Sequence, residues 1–423
     1  MNSIILKLGL ALKDGQLRKR ILFVIGALVV FRLLASIPIP GVDVASLARL
    51  FSNYQFLGLL DIFSGGGLSN LSIVMLGVGP YITGSIIMQL LTMMFPKLKA
   101  MYQEEGELGR KKFSQYSRLL SVPLALFQAF AFLALLKRGG VLGDIAGFEL
   151  FTNVVVITGG SLLLMWLGEL MTEYGIGNGV SLIIFAGIVA GIPTALKQFV
   201  LAFTVSDVPL YILFAVAALA IIYGVVVVTE AERPIPVTYA KRVRGNKVYG
   251  GVSTYLPLRV NQAGVIPIIF ALSLLLFPQM VLNFLSGVGN STVTAFAEWA
   301  LRLVSSGWFY STLYFILVFL FTYFYTAVTF DPNTIATNLQ KSGAFIPGVR
   351  PGSSTSEYIG KVLTRITLVG AVFLGLIAVL PLAMRALTGL NSLAIGGTAL
   401  LIVVSVVLDL VKKIDAQVSM REY

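Results

Sequence analysis

The sequence contains no cysteine and no histidine among its 423 residues. Without cysteine there are no disulfide bonds and no thiol nucleophiles, and without histidine there are no imidazole bases and none of the commonest zinc and haem ligands. A GxxxxGK[ST] phosphate-binding loop is absent as well. These absences exclude most familiar kinds of catalytic site, so we expect neither an enzyme nor a bound cofactor or metal.

Charge is also scarce, because only 12% of the residues are charged and 57% are hydrophobic. Soluble domains carry about 25% charged residues. Several apolar runs reach the ~20 residues that a helix needs to cross a bilayer, and no small-residue cleavage site follows an early apolar core, so we expect no removable signal peptide. The composition therefore predicts an all-α polytopic membrane protein.

Hydropathy and the turn-forming residues between apolar runs predict ten transmembrane helices in two five-helix halves, 18–205 and 206–423. The second span contains "GVGPYI" (77–82) and the seventh contains "GVIPII" (264–269), at matching positions in the two halves. Membrane carriers and channels are often built from such inverted repeats. The predicted spans are 18–37, 71–94, 117–137, 151–172, 179–200, 209–230, 261–285, 308–330, 362–384 and 391–411.

The basic residues predict the orientation of these spans. With the N-terminus inside, 24 of the 31 lysines and arginines fall on the inner side and 7 on the outer side. Positive charge favours the cytoplasmic side, so both termini are predicted to be cytoplasmic. The net charge of +12 is then a property of the cytoplasmic face, either as ordinary orientation bias or as a docking surface for a negatively charged partner.

Ionisable residues are almost absent from the span interiors. Those that occur lie near predicted span ends, where snorkelling or capping explains them: Arg32, Glu169, Glu230, Arg365, Arg385 and Asp409. Ion-coupled carriers usually keep buried charges near the bilayer midplane, so this scarcity counts against a proton- or sodium-coupled pump. A small-solute carrier or channel with the same inverted-repeat plan is the rival interpretation. A passive assembly scaffold is a third.

Two predicted cytoplasmic loops are longer than ordinary helix connections. Residues 231–260 alternate polar and β-favouring residues around "RGN", which predicts a basic β-hairpin. Residues 331–358 are rich in glycine, proline and serine, and "GVRPG" holds Arg350 in a rigid outward turn. We interpret both as partner-binding projections, with plain solvated loops as the alternative. Residues 1–17 have apolar side chains at helical spacing, which predicts an interfacial cytoplasmic segment, with a disordered tail as the alternative.

Branched aliphatic residues stand four apart at two helix starts, as Val78 with Ile82 and Val180 with Ile184. Such pairs share one helix face, and ordinary packing is the commoner explanation. The stretch "DIFSGGGLSN" (61–70) is too short to cross a bilayer and too apolar for an ordinary external loop. It is either a re-entrant segment or a loop on the membrane surface.

Six motifs, in order along nearly the whole chain, resemble the SecY family, the central subunit of the Sec protein-conducting channel, in its bacterial form. They are "IPIPGV" (37–42), "LGVGPYITGSIIMQLL" (76–91), "EYGIGNGVSLIIFAGIVAGIP" (173–193), "NQAGVIPIIFA" (261–271), "GVRPG" (348–352) and "GGTALLIVVSVVLD" (396–409). The resemblance implies ten spans in two inverted halves around an hourglass pore, which passes unfolded secretory polypeptides and releases hydrophobic segments sideways into lipid.

The resemblance also implies that a ring of aliphatic side chains forms the pore constriction. Family rings are mainly isoleucine, so valine or leucine at three positions leaves the ring apolar and its width open. By motif position the ring residues are Val78, Ile82, Val180, Ile184, Ile266, Leu274 and Ile402, with Leu401 as the alternative to Ile402.

Two further sites follow from the resemblance. Residues 57–70 correspond to a plug helix in the external funnel, and Gly65 to Gly67 provide a hinge for it. The plug residues are Leu60, Asp61, Ile62, Phe63, Gly65, Gly66, Gly67 and Leu68. The second and third spans part from the seventh and eighth to form a lateral gate. Polar gate candidates are Gln89, Asn261 and Gln262, and helix capping is the alternative for the last two.

The implied partners supply energy and membrane context. They are the small membrane subunits SecE and SecG, the motor ATPase SecA, the ribosome with its RNA phosphates and proteins, an unfolded polypeptide with its signal sequence, and the lipid bilayer. Arg242, Arg244 and Arg350 are the expected cytoplasmic contacts. The implied location is the inner (plasma) membrane of the cell.

Overall fold

The computed structural model is mostly helical and contains two compact units. It describes residues 14–40, 61, 64, 66–138, 140–142, 147–201, 208–240, 242–244, 247–249, 253–286, 291–388 and 396–419. The first unit comprises Met1–Val205, Leu272–Phe309 and Val406–Tyr423, and the second comprises Ser206–Ala271 and Tyr310–Ser405.

The first unit is built mainly from helices. Its helices are α1 (Gly15–Ala35), α2 (Gly79–Met94), α3 (Pro96–Gln103), α4 (Gly106–Arg138), α5 (Gly147–Tyr174), α6 (Gly179–Leu201), the later part of α8 (Ile266–Leu285), α9 (Ser291–Ser305) and the later part of α13 (Gly396–Ser419). Helix α2 packs on α4, α4 on α5, and α5 on α6. Small residues permit close contact, since a Cβ on Gly84 of α2 would lie 3.1 Å from the carbonyl oxygen of Ser117 in α4.

The second unit combines helices with a small sheet. Its helices are α7 (Val208–Glu230), most of α10 (Gly307–Thr329), α11 (Pro332–Lys341), α12 (Ser353–Thr388) and the first part of α13 (Gly396–Ser419). Gly375 of α12 lies against the ring of Phe315 in α10, where an added Cβ would be 2.7 Å from Cε2. Glycine at this position therefore lets the two helices approach closely.

Each of the ten predicted spans has a helical counterpart, although several boundaries differ. By length and composition alone, five helices of the described chain can cross a membrane: Gly106–Lys137, Gly147–Tyr174, Ile266–Leu285, Gly307–Lys341 and Ser353–Leu380. Shorter apolar stretches lie at Gly179–Pro193 and Ala215–Glu230. The predicted helical membrane architecture is thus confirmed, while the pairing of inverted halves stays a prediction.

The predicted β-hairpin of residues 231–260 is confirmed. Strand β1 (Glu232–Tyr239) pairs antiparallel with β4 (Ser253–Arg259), from Glu232 opposite Arg259 to Thr238 opposite Ser253. Between them, β2 (Arg242–Arg244) pairs with β3 (Lys247–Tyr249). A short strand, β5 (Ala344–Phe345), adds to the other edge of β1 and gives the order β4-β1-β5.

The 331–358 segment is more ordered than its composition predicted, because it contains helix α11. Asp331 caps this helix, and its carboxylate accepts hydrogen bonds from Asn333 N at 3.0 Å and Thr334 Oγ1 at 2.9 Å. Pro332 occupies the first turn, where a missing N–H costs nothing. The "DPNT" start was a readable helix signal.

The two loops share one hydrophobic core with the start of α12. Ile235 and Leu258 from the hairpin, Ile346 after β5, and Ile359 and Val362 of α12 are buried together. The two projections are therefore one folded platform rather than independent loops.

Candidate functional site

The seven predicted ring residues divide between the two units. Val78, Ile82, Val180, Ile184 and Leu274 belong to the first unit, and Ile266 and Ile402 belong to the second. Most are withdrawn from solvent, since Val78 and Ile184 are fully buried, Ile82 is 7% exposed and Ile402 is 1% exposed. Val180 and Ile266 are half-buried.

Leu274 departs from this pattern, because 41% of it is exposed. Ile269 is only 6% exposed and lies three residues after Ile266, one helical turn along α8. We therefore regard Ile269 as a ring candidate that motif position missed, and the i, i+3 spacing was the available signal. Burial does not separate Ile402 from its alternative, since Leu401 is equally buried.

Val78 and Ile82 are placed by the start of α2. The second span was predicted from residue 71, but residues 73–78 form consecutive turns and the helix begins at Gly79. Gly77 adopts φ +57°, a left-handed conformation that interrupts a regular helix. Val78 then occupies the N-cap position and its carbonyl accepts the amide of Ile82 at 3.0 Å, so the two side chains lie one turn apart on one face.

Val180 and Ile184 are placed in the same way by the start of α6. The "GIGNG" motif forms the turn before this helix, with Gly177 at φ +92°. Asn178 caps the helix, because its Oδ1 accepts the amide of Ser181 at 3.2 Å. Thr172 Oγ1 at the end of α5 accepts the amide of Gly179 at 2.8 Å, which fixes the turn to the preceding helix.

Helix α5 supports both valine–isoleucine pairs. Ser161 Oγ donates to the carbonyl of Gly77 at 2.8 Å, next to Val78. Gly168 lies against Val180, whose Cγ2 would be 3.2 Å from an added Cβ. Ser161 and Gly168 are seven residues apart, so they share one face about 10 Å apart along the axis. Both pairs are therefore held on one helix face.

Close backbone contact explains Gly160 on α5 and Gly179 at the start of α6. A Cβ on Gly160 would collide with the carbonyl oxygen of Ile73, and a Cβ on Gly179 would collide with that of Gly168. Small residues are typical of such helix contacts in membranes. The sequence contained this signal, but only the tertiary structure shows which backbone each glycine meets.

The predicted plug residues are only partly described. Leu60, Ile62, Phe63 and Gly65 lie outside the described residues. Asp61 Oδ1 accepts the amide of Ser69 at 2.8 Å and the hydroxyl of Ser64 at 3.3 Å, while Leu68 is fully buried. The Asp61 carboxylate therefore connects Ser64 and Ser69, which lie on either side of the three glycines.

Gly66 and Gly67 have local roles within the same turn. Gly66 adopts φ +80°, which glycine tolerates at no steric cost. A Cβ on Gly67 would lie 2.9 Å from Ser72 Oγ and 3.1 Å from the carbonyl oxygen of Val74. These glycines fit the closed turn, and their use as a hinge stays a prediction.

The polar gate candidates are not all alike. Gln89 of α2 donates to Ser85 Oγ at 3.3 Å. Asn261 and Gln262 precede the first residue of α8 by five and four residues, so neither occupies its N-cap and the capping alternative is wrong. Among the described residues, Asn261 Oδ1 and Gln262 Nε2 are buried without a hydrogen-bond partner.

An aromatic cluster joins the third and seventh spans within the first unit. Phe127 of α4 lies 6.0 Å from Phe277 and 6.4 Å from Phe284 of α8, between ring centroids, and Phe130 lies 5.7 Å from Phe284. Such ring pairs contribute about 0.5–1.5 kcal/mol each beyond burial. Sequence reasoning did not find this contact, because phenylalanine is frequent in every span.

Glu169 forms an ion pair that the sequence did not predict. Glu169 was attributed to snorkelling or capping, but its Oε1 lies 2.7 Å from Nε of Arg118. The pair links α4 and α5, two helices that pack against each other. Glu169 is thus a structural partner of a neighbouring helix.

The predicted cytoplasmic contacts lie on the platform. Arg350 is exposed, and its carbonyl accepts the hydroxyl of Thr355 at 2.8 Å. Gly348 and Gly352 on either side have φ +83° and +103°, so the turn has a defined shape. For Arg242 and Arg244 only the backbone is described, in register with Tyr249 and Lys247.

Comparison with known proteins gives one consistent family. A protein-family model described as SecY matches residues 72–411. The chain is 44% identical to the protein translocase subunit SecY of Mycobacterium tuberculosis, covering 98% of this chain and 97% of the relative. It is 45% identical to the subunit of that name from Escherichia coli K12, covering 97% and 93%.

Solved structures agree in fold. The structure of a protein-conducting channel matches with a TM-score of 0.68 at 18% identity, covering 97% of this chain and 94% of the other. A structure of SecY described by its plug domain matches at 0.66 and 20% identity, with the same coverage. With the family model, the full-length relatives and this fold in agreement, the chain belongs to the SecY family.

Proposed function

We propose that this chain forms a protein-conducting channel, which passes unfolded secretory polypeptides across the cell membrane and releases hydrophobic segments sideways into lipid. The observation that carries the proposal is the mounting of two valine–isoleucine pairs at the starts of α2 and α6, both fixed to one face of α5. Family membership supplies the class of substrate.

The pore residues act through their apolar side chains, which carry no hydrogen-bonding groups. A narrow apolar constriction excludes water and therefore blocks ions. The same side chains offer a passing polypeptide no hydrogen bonds that would retain it. Such transport includes no chemical step, so the chain is not an enzyme and requires no cofactor, and its driving energy comes from partners.

Sideways release uses the lateral gate, to which we assign the aromatic cluster of α4 and α8. A signal core of about ten apolar residues gains roughly 5 kcal/mol on entering lipid, at ~0.5 kcal/mol per residue. Three ring pairs at about 0.5–1.5 kcal/mol each contribute a smaller amount to closure. A signal sequence therefore has enough energy to part these rings, while a polar segment does not.

The plug completes the resting seal in this proposal. Re-entrant backbone is tolerated at membrane depth only when protein or a water-filled cavity surrounds it. The bonds from Ser69 and Ser64 to Asp61, and the burial of Leu68, favour one closed turn. Displacement of this turn would accompany opening.

Both termini and the platform are assigned to the cytoplasm on the distribution of lysine and arginine. We assign SecE and SecG as membrane partners, and SecA and the ribosome as cytoplasmic ones. Basic loops attract ribosomal RNA phosphates without regard to sequence.

The proposal is tested by transport into vesicles. Membranes containing the chain with SecE and SecG, supplied with SecA, ATP and a secretory precursor, should make the precursor resistant to external protease. Uptake of a small solute without protection of the precursor would favour a carrier. A precursor that stays digestible, with no change in vesicle permeability, would favour a scaffold.

Reversing the charge of Arg350 should impair the same reaction. Charge-assisted contacts contribute about 1.5–3 kcal/mol, so Arg350→Glu should weaken cytoplasmic partner binding roughly ten- to hundredfold. Assembly with SecE and SecG should be unchanged, because the side chain is exposed. The measurement is protected precursor together with co-purification of the subunits.

Lys341→Glu is the matched control, since Lys341 is also exposed and ends the neighbouring helix α11. It should reduce transport much less than Arg350→Glu. Equal losses for the two variants would show that only the general charge of the platform matters, and normal transport by Arg350→Glu would refute the assignment.

A further inference from the structure

Helix α9 (Ser291–Ser305) has large apolar side chains on its exposed surface. Phe296 is 60% exposed, Trp299 is 62% exposed and Leu303 is 42% exposed. The rings of Phe296 and Trp299 lie 6.1 Å apart between centroids. No sequence-based expectation covered this helix, and the proposed channel mechanism does not use it.

The side chains of α9 divide its surface into three faces. At 100° per residue, Phe296, Trp299 and Leu303 fall within about 60° of one another. Ala297 is fully buried and marks a second face, where the helix packs on the first unit. Glu298 and Arg302 are exposed and mark a third face, whose centre lies about 110° around the helix from the centre of the apolar stripe.

The chain places α9 between two membrane spans. Helix α8 ends at Leu285 and α10 begins at Gly307, and both are long and apolar enough to cross a bilayer. Only Ser306 separates α9 from α10. A helix of 15 residues cannot span a bilayer, so its position at the end of a span is the membrane–water boundary.

A third exposed aromatic residue lies close to the stripe along the chain. Trp308 is the second residue of α10 and is 84% exposed. Tryptophan is enriched where a span meets the headgroup region, because its ring is apolar and its N–H is polar. Trp308 and the stripe on α9 thus share the chemistry of an interfacial belt.

We propose that α9 lies in the membrane–water interface of the outer leaflet, with Phe296, Trp299 and Leu303 inserted at the headgroup–acyl boundary. An amphipathic helix binds this region through its apolar face while its charged face remains in water. The partner is the lipid surface itself. The helix directly follows α8, so it anchors the outer end of the seventh span.

Tryptophan fluorescence tests this placement, because the sequence has only three tryptophans, Trp166, Trp299 and Trp308. Variants with the other two replaced by phenylalanine retain Trp299 or Trp308 alone. The full chain is placed in phosphatidylcholine vesicles whose lipids carry bromine either near the headgroup or near the end of the acyl chain. Both tryptophans should lose more emission with the shallow bromine than with the deep one.

A deep marker on α10 provides the control. Leu320 is 56% exposed near the middle of α10, and Leu320→Trp in a chain otherwise free of tryptophan should be quenched more by the deep bromine. This result establishes membrane insertion independently of α9. With it in place, quenching of Trp299 by aqueous iodide alone, or by none of the three quenchers, would overturn the proposal by showing water or protein on that face.

Discussion

Serine at positions 82 and 184 is expected to let ions cross the resting channel. Ile82 and Ile184 are buried and stand one turn inside α2 and α6. A hydroxyl in an apolar site stabilises water there by about 2 kcal/mol, which corresponds to roughly thirtyfold in permeation for one substitution. The measurement is ion conductance of planar bilayers containing Ile82→Ser, Ile184→Ser or the double variant, and the requirement for a strong signal sequence should relax in parallel.

Ile183→Ser is the matched control for this experiment. Ile183 is as buried as its neighbour Ile184, but its side chain points about 100° away from that of Ile184 around α6. Its replacement should reduce stability without producing a leak. Equal conductance for Ile183→Ser and Ile184→Ser would contradict the pore assignment, and loss of one solute's uptake in place of a leak would indicate a carrier.

Leucine at Gly160 should be the most destabilising single change on the face of α5 that holds the pairs. An added Cβ collides with the carbonyl oxygen of Ile73 and lies 3.3 Å from Val74 Cγ1. Overpacking costs about 1–3 kcal/mol, and loss of the Ser161–Gly77 hydrogen bond adds about 1 kcal/mol. We expect a lower thermal midpoint in detergent and, in the surviving protein, increased ion conductance.

The adjacent glycine provides the comparison. Gly159 has no atom within 4 Å of an added Cβ, and leucine favours helices over glycine by about 0.8 kcal/mol. Gly159→Leu should therefore leave stability and conductance unchanged or slightly improved. If the two leucine variants behave alike, the close contact between α5 and residues 73–77 does not support the pore.

The sequence predicted where helices occur much better than where they begin. Each of the ten predicted spans contains a helix, because a bilayer imposes long apolar segments that are readable from sequence. The start of α2 at Gly79 rather than 71 depends on Gly77 in a left-handed conformation, and composition does not show which conformation a glycine adopts. The start of α4 at Gly106 rather than 117 and the pairing of its Arg118 with Glu169 were likewise not predicted, because the pair depends on how two helices pack.

The candidate site was also predicted only in part. Helical spacing predicted the two valine–isoleucine pairs, because i, i+4 residues share a face in any helix. The support from Ser161, Gly160 and Gly168 required the tertiary structure. On the platform, alternation of polar and β-favouring residues predicted the hairpin. Helix α11 was not predicted, because its segment is rich in glycine and proline, although Asp331 is a capping signal.

Crosslinking of a stalled secretory polypeptide tests the central claim most directly. A photoreactive amino acid is placed at Ile82, at Ile184 or at Leu163, a 41% exposed position on α5 that serves as control. A polypeptide halted partway across the membrane should crosslink from positions 82 and 184 and not from 163. Crosslinks from 163 as strong as those from 82 and 184, or none from 82 and 184 while the chain is trapped, would contradict passage through an aliphatic constriction.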